Sequence, residues 1–477
     1  MTVAEATADP AAPPEDRSDR AFLGHPKGMG YLAFAEGWER FSYYGMQTLL
    51  VLYMTNYLFQ AGNIENVAGF GPFRAGIEWA YGPLSPVALA SAIYGLYAGL
   101  VYLTPLAGGL IADRWLGRTR TITIGALLMA AGHFLMAFEA SFLLALLCLL
   151  LGVGCFKGNI ATQVGELYGP DDLRRADAFQ IFLLSVNIAV IVAPLVCGRL
   201  GLQVAWHWGF GAAGVGMLIA LAVYLSGRRW LPADTGAKAR ASGEAPAHPP
   251  LVKGDGARIV VLVVLIPLLV VSALGNQQIF NSYLVWGAAN FQLDLAGFRM
   301  EVTDLVAVDA FISTAFIILT LLFWRWWAKR WQEPDEITKL TIGVLISALA
   351  PLLLAMGAWQ QEATGEKASL LWGIGFHVVN SIGFANVFPV GLALYSRAAP
   401  RAIAGLMIGV YYLHLFAANM VVGRLGGYLE QMDAGQFWLM HAGLVAAGAV
   451  GLVLVRPFFG RILARRDEPS SQPAPAP

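Results

Sequence analysis

Long apolar segments alternate with short polar connections along most of this 477-residue chain. The apolar runs reach about twenty residues, which is the length that an α-helix needs to cross a hydrocarbon core of about 30 Å. On this basis we predict twelve helices, near residues 31–57, 86–112, 120–140, 142–167, 175–199, 206–227, 257–289, 300–328, 337–359, 369–396, 402–426 and 435–457. The pattern therefore indicates an all-α polytopic membrane protein.

One long polar stretch interrupts this pattern and divides the helices six plus six. Residues 228–256 are rich in Arg, Lys, Gly, Pro and Ala, and we predict a flexible cytoplasmic linker there, between bundles at 31–227 and 257–457. Residues 1–30 lack the basic and apolar pattern of a cleaved signal peptide and are predicted as a disordered N-terminus. Residues 458–477 are predicted as a disordered tail.

The basic residues predict the orientation in the membrane. Of the 31 lysines and arginines, 24 lie in the termini or in loops on the same side, and five lie in the opposite loops. The two others lie within predicted helices. Because loops rich in Lys and Arg remain in the cytoplasm, both termini are predicted to be cytoplasmic, in a plasma membrane of the bacterial (inner-membrane) type.

Composition narrows the possible functions. The chain is 57% hydrophobic and only 13% charged, with a formal net charge of zero, so it is short of polar surface for water and has no electrostatic reason to bind nucleic acid. Its three cysteines all lie in apolar runs, where they indicate neither a disulfide framework nor a metal site. No nucleophile–base pattern, metal-ligand cluster or phosphate-binding loop is found. We therefore predict no enzyme activity, no cofactor, lipid as surroundings and a monomer.

Four charged residues lie well inside the first and fourth predicted helices, where charge is costly. Glu36, Glu39 and Arg40 follow one another on a single stripe of the first helix, and Lys157 lies in the fourth. Each such charge costs about 2.5–3.5 kcal/mol on the insertion scale when it is unpaired. Two acids and two bases sum to zero, so we predict that they pair inside the bundle. A rearrangeable network is favoured over a static one, because hydrophobic pairs would fasten the helices equally well.

Several motifs resemble those of known transporters. Residues 108–120 read GGLIADRWLGRTR and resemble the signature loop of the major facilitator superfamily, in which Asp113 and its basic neighbours tie helix ends together. Residues 36–45, EGWERFSYYG, match the ExxERFxYYG motif of the proton-dependent oligopeptide transporter family. Residues 152–168 and 388–400 are similar to the fourth and tenth helices of that family, as the fifth predicted helix is to its fifth.

This resemblance implies the major facilitator superfamily fold, in which two six-helix bundles rock about a site near the membrane midplane. It also implies a proton-coupled symporter that imports di- and tripeptides by alternating access, with the proton gradient as the driving force. Carried over by motif, the first-helix glutamates take part in proton coupling together with Arg40 and Lys157, which face the peptide carboxylate. The implied pocket residues are Arg40, Tyr43, Tyr44, Tyr94, Lys157 and Asn187.

The charges provide a mechanism for coupling. A carboxylate beside Arg40 stays ionised as long as it shares the arginine, and it can bind a proton once a substrate carboxylate takes the arginine. Substrate binding and proton uptake would then favour each other.

The chain departs from the family pattern at three positions. Asn276 stands where the family has an acid in the seventh helix, and Phe384 replaces an acid in the tenth. Gly95 corresponds to a second-helix histidine of animal members. The usual counter-charge for a peptide amino group is therefore missing, as is one gating partner of the arginine.

Other residues could compensate for these losses. Asp309, an acid without an obvious basic partner in the eighth helix, is a candidate for the amino-group contact. Asn276 and Gln277 offer neutral hydrogen bonds to a substrate, and His377 or His414 could carry a proton, since histidine titrates near neutral pH. Each histidine could instead be satisfied by a neighbouring helix.

Two alternatives stay open on the sequence. Another small solute, such as nitrate, an amino acid or another organic acid, could replace the peptide as the substrate. A sensor that kept the fold without transporting is the rival from another functional class.

Overall fold

The computed structural model describes residues 19–169, 172–232, 250–252, 254–295 and 297–463. Within these ranges the chain forms fourteen α-helices: α1 Lys27–Tyr53, α2 Phe70–Tyr81, α3 Pro86–Ile111, α4 Arg118–Leu135, α5 Phe142–Glu166, α6 Arg174–Ala193, α7 Trp206–Gly227, α8 Asp255–Gln277, α9 Ser282–Asn290, α10 Asp304–Ala328, α11 Glu336–Thr364, α12 Leu370–Ala398, α13 Ala404–Leu425 and α14 Ala434–Leu463. Short strands pair at one end, β1 Phe291–Gln292 in parallel with β4 Ala368–Ser369, and β2 Asp294–Leu295 antiparallel to β3 Phe298–Arg299.

Twelve of these helices correspond to the predicted membrane spans. By length and composition alone, ten helices in the described part of the chain, with their adjoining turns, are apolar enough to cross a membrane. The other two are α1 and α4, whose charged residues lower their hydropathy; α1 packs between α6 and α7, and α4 packs against α5 and α7. The helix α2 is too short to span, at about 1.5 Å per residue, and α9 continues the seventh span.

The helices form two bundles, which confirms the predicted architecture. In the N-terminal bundle α1 packs against α6 and α7, while α5 packs against α3 and α4. In the C-terminal bundle α11 packs against α12 and α14, and α8 packs against α13 and α14. The bundles meet along two helix pairs, α3 with α13 and α6 with α10.

The helix limits differ from the prediction in informative places. The seventh predicted helix, residues 257–289, is broken by a 3₁₀ turn and by Asn281, whose φ of −125° and ψ of −113° are not helical. α4 ends at Leu135 rather than at 140, and α14 continues to Leu463, into the predicted tail. The predicted flexible part of the linker at 233–249, most of the N-terminus and the tail from 464 lie outside the described residues.

The hydrophobic core joins the bundles at one end. A single cluster of buried side chains covers the N-terminal bundle and also the half of the C-terminal bundle around Trp286, Phe376 and Trp438. A separate cluster, around Leu262 and Leu394, fills the half of the C-terminal bundle nearer the chain termini. The bundles therefore share a core at the end remote from the termini, which we call the outer end.

Candidate functional site

Arg40 shares its guanidinium with two glutamates in the middle of α1. Its Nε lies 2.8 Å from Oε1 of Glu36, to which it donates a hydrogen bond, and 2.8 Å from Oε2 of Glu39. All three side chains are almost completely buried. Nη2 of Arg40 and both carboxylate oxygens of Glu39 have no hydrogen-bond partner in the described part of the chain. The structure therefore shows the predicted cluster of α1 charges with part of its hydrogen-bonding capacity unused.

Lys157 lies apart from this ion-paired cluster, which differs from the prediction that all four charges pair. Within the described residues it has no carboxylate within 4.0 Å, and its Nζ lies 5.1 Å from the centre of the Tyr102 ring on α3. An ammonium above an aromatic face is held weakly compared with a buried ion pair. The lysine is half-buried and, among the described residues, is held by an aromatic ring rather than by an ion pair.

Close packing around α1 holds the charged cluster in place. Ser42 donates a hydrogen bond of 2.7 Å to the Ala213 carbonyl of α7. A Cβ at Gly45 would lie 2.9 Å from Cβ of Cys197, so only glycine lets α1 contact the turn after α6 so closely. The motif thus contributes both the charges and the small residues that bring the neighbouring helices around them.

The tyrosines of the motif surround the arginine. The Tyr43 ring centre lies 5.7 Å from Cζ of Arg40. Tyr44 packs edge-on against Tyr43, and its ring is tilted by 34° against that of Phe280 beyond α8. Tyr94 of α3 is buried, and its hydroxyl accepts a hydrogen bond of 2.7 Å from Gln47 of α1.

Sequence reasoning did not identify Gln47 as a site residue. It lies seven positions after Arg40 on the same stripe of α1, and that spacing was the available signal. The predicted pocket residue Asn187 lies on α6, half-buried and without a hydrogen bond to another described residue.

Asn276 and Phe384, which replace family acids in the seventh and tenth predicted helices, line the same small cavity. Asn276, Gln277, Phe384 and His414 line a space of about 20 Å³, and Asn419 donates a 3.0 Å hydrogen bond to Gln277. A space of this size holds about one water molecule. Asn276 and Phe384 therefore both line a cavity without acidic residues, whereas the family pattern has acids at these two positions.

Asp309 has a basic partner, contrary to the interpretation of the sequence. Its Oδ1 lies 2.8 Å from Nδ1 of His377 on α12, and Nε2 of the same histidine lies 2.8 Å from the hydroxyl of Tyr283 on α9. His377 is fully buried, whereas 15% of the Asp309 side chain is exposed. Because residues 309 and 377 lie far apart in the chain, no spacing rule could have paired them.

The predicted signature loop ties helix ends together, as expected. Arg118 forms ion pairs with Asp113, at 3.3 Å, and with Glu166 at the end of α5. The contacts link the turn after α3 to α4 and α5 at the end of the bundle where the termini lie.

Polar contacts join the two bundles at the outer end. Arg199, just after α6, donates two hydrogen bonds to the buried Asp304 at the start of α10, at 3.2 and 2.8 Å. Asn281 donates to Ser91 of α3 at 2.7 Å, and Gln203 donates to Glu301 at 3.1 Å. The outer end is closed in this structure.

Gly95 shows why a histidine does not fit at its position here. A Cβ at Gly95 would lie 2.7 Å from Cα of Gly423 and closer still to the Asn419 carbonyl oxygen, both backbone atoms of α13. The absence of a side chain therefore allows the close contact between α3 and α13 that helps to close the outer end.

Loss of the Arg199–Asp304 pair is expected to loosen this closure. In an Arg199→Ala variant the buried Asp304 loses its cation, so conformers with a separated outer end should increase by about fivefold or less, as for a part-exposed ion pair worth about 1 kcal/mol or less. Distances between spin labels on α2 and on the β2–β3 hairpin would report the change. The charge-swapped Arg199→Asp/Asp304→Arg variant should restore the short distance between the labels. A distance distribution in Arg199→Ala that equals that of the wild type would contradict a role of this ion pair in closing the outer end.

Sequence comparison identifies relatives along almost the whole chain. A family model described as PTR2, the POT family, matches residues 119–239 and 255–439. The peptide transporter YePEPT of Yersinia enterocolitica is 30% identical over 510 aligned residues, which cover 92% of this chain and 95% of that protein. The di-/tripeptide transporter of Lactococcus lactis subsp. lactis is 28% identical, with coverage of 83% and 88%.

Solved structures show the same fold. A crystal structure of a POT peptide transporter in complex with sulfate has a TM-score of 0.79 at 24% identity, with 93% of this chain and 97% of that chain covered. A POT family transporter in complex with 5-aminolevulinic acid has a TM-score of 0.76 at 21% identity, with 92% and 98% covered. Because the family model covers more than half of the sequence, and the Yersinia relative almost all of it, this chain belongs to the POT family of proton-coupled peptide transporters and is a membrane transporter rather than an enzyme.

Proposed function

We propose that this chain imports di- and tripeptides together with protons by alternating access, as a monomer in a bacterial plasma membrane with both termini in the cytoplasm. The observation that carries the proposal is Arg40, buried between Glu36 and Glu39 with an unused Nη2. A cation whose charge is already shared, and which still has donors to offer, can exchange a glutamate for a substrate carboxylate. Relatives named as peptide transporters support peptide as the substrate class.

The unpaired groups support the following order of binding steps. A peptide carboxylate meets Lys157, which has no described ion partner, and the free Nη2 of Arg40. When Arg40 turns to the peptide, Glu39 loses its ion pair in a buried position, where an isolated carboxylate is costly. A proton then neutralises Glu39. Peptide binding and proton binding therefore favour each other. The transporter with both peptide and proton bound has fewer uncompensated buried charges than the transporter with only one of them.

The remaining predicted residues would shape the pocket around the peptide. Tyr43, Tyr44 and Tyr94 supply aromatic and hydroxyl surfaces beside the cluster, and Asn187, Asn276 and Gln277 supply neutral amides. Asp309 would hold the peptide amino group through Oδ2, which has no hydrogen-bond partner in the described part of the chain, while His377 holds Oδ1.

The closed outer end supports the alternating-access part of the proposal. With the termini in the cytoplasm, the ion pair of Arg199 with Asp304 and the shared core lie on the outer side. The structure then corresponds to a state that is closed towards the outside, as alternating access requires while the substrate leaves to the cytoplasm.

A second candidate substrate is a small organic acid. Asn276 and Phe384 make the cavity near the seventh helix neutral, and they remove two acids that would favour an amine-bearing substrate. Arg40 and Lys157 would bind a carboxylate whether or not the solute also has an amino group. A related structure contains 5-aminolevulinic acid, which shows that one protein of this fold binds a ligand other than a peptide.

Uptake of a labelled dipeptide into liposomes that contain the purified protein tests the proposal. An inward proton gradient and a negative-inside potential should drive accumulation, and both Lys157→Ala and Glu39→Gln should abolish it. Lys329→Ala, at the exposed end of α10, is the matched control and should keep uptake at the wild-type level. Proton influx triggered only by a small organic acid would favour the second candidate, whereas no solute-driven proton flux would contradict symport.

A further inference from the structure

Asp309, His377 and Tyr283 form a buried polar trio that connects α10, α12 and α9. Both imidazole nitrogens are engaged, Nδ1 with the carboxylate and Nε2 with the phenol, each at 2.8 Å. The trio lies in the bundle that lacks the usual acids at Asn276 and Phe384. It therefore places an acid and a titratable base together where the family pattern would lead one to expect carboxylates alone.

The trio can gain a proton without losing a hydrogen bond. With a neutral imidazole, Nδ1–H donates to Asp309, and Nε2 accepts from the Tyr283 hydroxyl. With an imidazolium, Nδ1–H still donates to Asp309, and Nε2–H donates to the Tyr283 oxygen, because a phenol both donates and accepts. The net charge of the trio changes from minus one to zero. A buried net charge is costly, so a cation that neutralises Asp309 is favoured.

Few other charged or polar groups are available to neutralise Asp309. On the same helix, α10, Asp304 is already paired with Arg199. Ser313 forms a 2.8 Å hydrogen bond with Ser381 of α12. On α11, the side chain that a Cβ at Gly375 of α12 would contact is Leu353, which is apolar. Only Tyr283 and Asp309 bring a titratable group into contact with the His377 imidazole among the described residues.

The other buried histidines within the membrane-spanning helices lack this arrangement. In the described part of the chain His133 has no hydrogen-bond partner, His414 bonds to the Tyr411 carbonyl, and His441 bonds to Gln278 and to the Phe437 carbonyl. None of these histidines contacts a carboxylate. His441 is as buried as His377 and lies in the same bundle, which makes it a matched control.

We propose that the Asp309–His377 pair binds either a proton or the amino group of the substrate, so that protonation of His377 releases the amino group. This rests on the proposed function, in which Asp309 receives a peptide amine. Oδ2 of Asp309 is the open position for an ammonium, since Oδ1 is held by His377 and part of the side chain is exposed. An imidazolium next to the carboxylate cancels the charge that attracts the ammonium.

The proposal predicts which substrates respond to pH. The carboxylate contacts at Arg40 and Lys157 are common to a dipeptide and to its N-acetylated form, so their pH dependence cancels in a comparison of the two. Only the free-amine peptide uses Asp309. Its preference over the acetylated peptide should therefore be small when His377 is protonated and large when His377 is neutral.

Equilibrium binding of Ala-Ala and N-acetyl-Ala-Ala to the full chain in lipid nanodiscs tests this, at about pH 5.5 and about pH 7.5, within the range in which histidine side chains as a class change charge. The ratio of the two Kd values should change about tenfold between these conditions in the wild type. It should be independent of pH in His377→Gln, and Asp309→Asn should remove the amine preference at both pH values. His441→Gln should behave as the wild type.

A wild-type ratio that does not change with pH, or a His377→Gln ratio that changes as in the wild type, would overturn the proposal. If the wild type binds neither peptide, the proposed function fails, and the proton site is then tested alone. Infrared difference spectra of the purified chain between the same two pH values should contain an imidazole protonation band that His377→Gln lacks. Identical spectra for the two proteins would overturn the proton site itself.

Discussion

An Arg40→Ala variant is expected to lose proton-driven uptake completely and to unfold at a lower temperature. Removal of Arg40 leaves Glu36 and Glu39 as buried carboxylates without their shared cation. Breaking a buried ion pair from one side typically costs about 3–5 kcal/mol, because the remaining charge stays uncompensated. Thermal unfolding of the protein in detergent would measure the loss of stability, and uptake into liposomes would measure the loss of transport.

A triple variant without the charges of the α1 cluster distinguishes a loss of stability from a loss of transport function. In Glu36→Gln/Glu39→Gln/Arg40→Met no charge remains in the α1 cluster, and Lys157 keeps its contact with the Tyr102 ring, so part of the thermal stability should return. Transport should remain absent, because Arg40 is not there to bind the substrate carboxylate and Glu39 is not there to accept the proton. A wild-type unfolding temperature for Arg40→Ala, or driven uptake by the triple variant, would each contradict the role assigned to this cluster.

The second large effect is expected at Gly95, where α3 meets α13. In Gly95→Val a side chain would occupy the space of the Asn419 carbonyl and of Gly423, so the two helices must separate. Backbone atoms cannot yield as a flexible side chain can, and the closed outer end should therefore be strongly disfavoured. We expect transport to fall by at least about tenfold, which corresponds to about 1.4 kcal/mol.

Thiol labelling would report this opening. In a background without the three native cysteines, a cysteine in place of Ser91 should be protected in the otherwise unchanged protein, because Ser91 is buried at the outer end. It should react readily when Gly95→Val is added. Gly109 lies on the same helix, and a Cβ there would meet no described atom within 4 Å, so Gly109→Val is the matched control and should leave both labelling and transport unchanged.

The structure shows what surrounds the two positions at which the family acids are missing. Asn276 and Phe384 border a neutral cavity of about 20 Å³, while Asp309 stands on α10 beside a histidine. A carboxylate with an imidazole partner can be neutralised in place, whereas an isolated buried carboxylate needs a proton or a substrate of its own. The compensation that we propose for Asp309 would therefore differ in kind from a simple relocation of the acid.

Much of the architecture follows from local sequence patterns. The length of the apolar runs sets the number of spans, because the thickness of the hydrocarbon core leaves little choice. The spacing of Glu36, Glu39 and Arg40 places them on one helix stripe, since that relation depends only on the helical repeat. The contact of Asp113 with Arg118 is similarly local, within a single turn between helices.

Relations between distant segments were decided only by the tertiary structure. Sequence spacing could not join Asp309 to His377, place Lys157 over Tyr102 rather than in an ion pair, or break the seventh span at Asn281. These features depend on which helices pack together and at what height, and many side chains set that packing jointly. The sequence by itself determined the spans, the buried charges of α1 and the family motifs, whereas the tertiary structure decided which charges meet and which end of the transporter is closed.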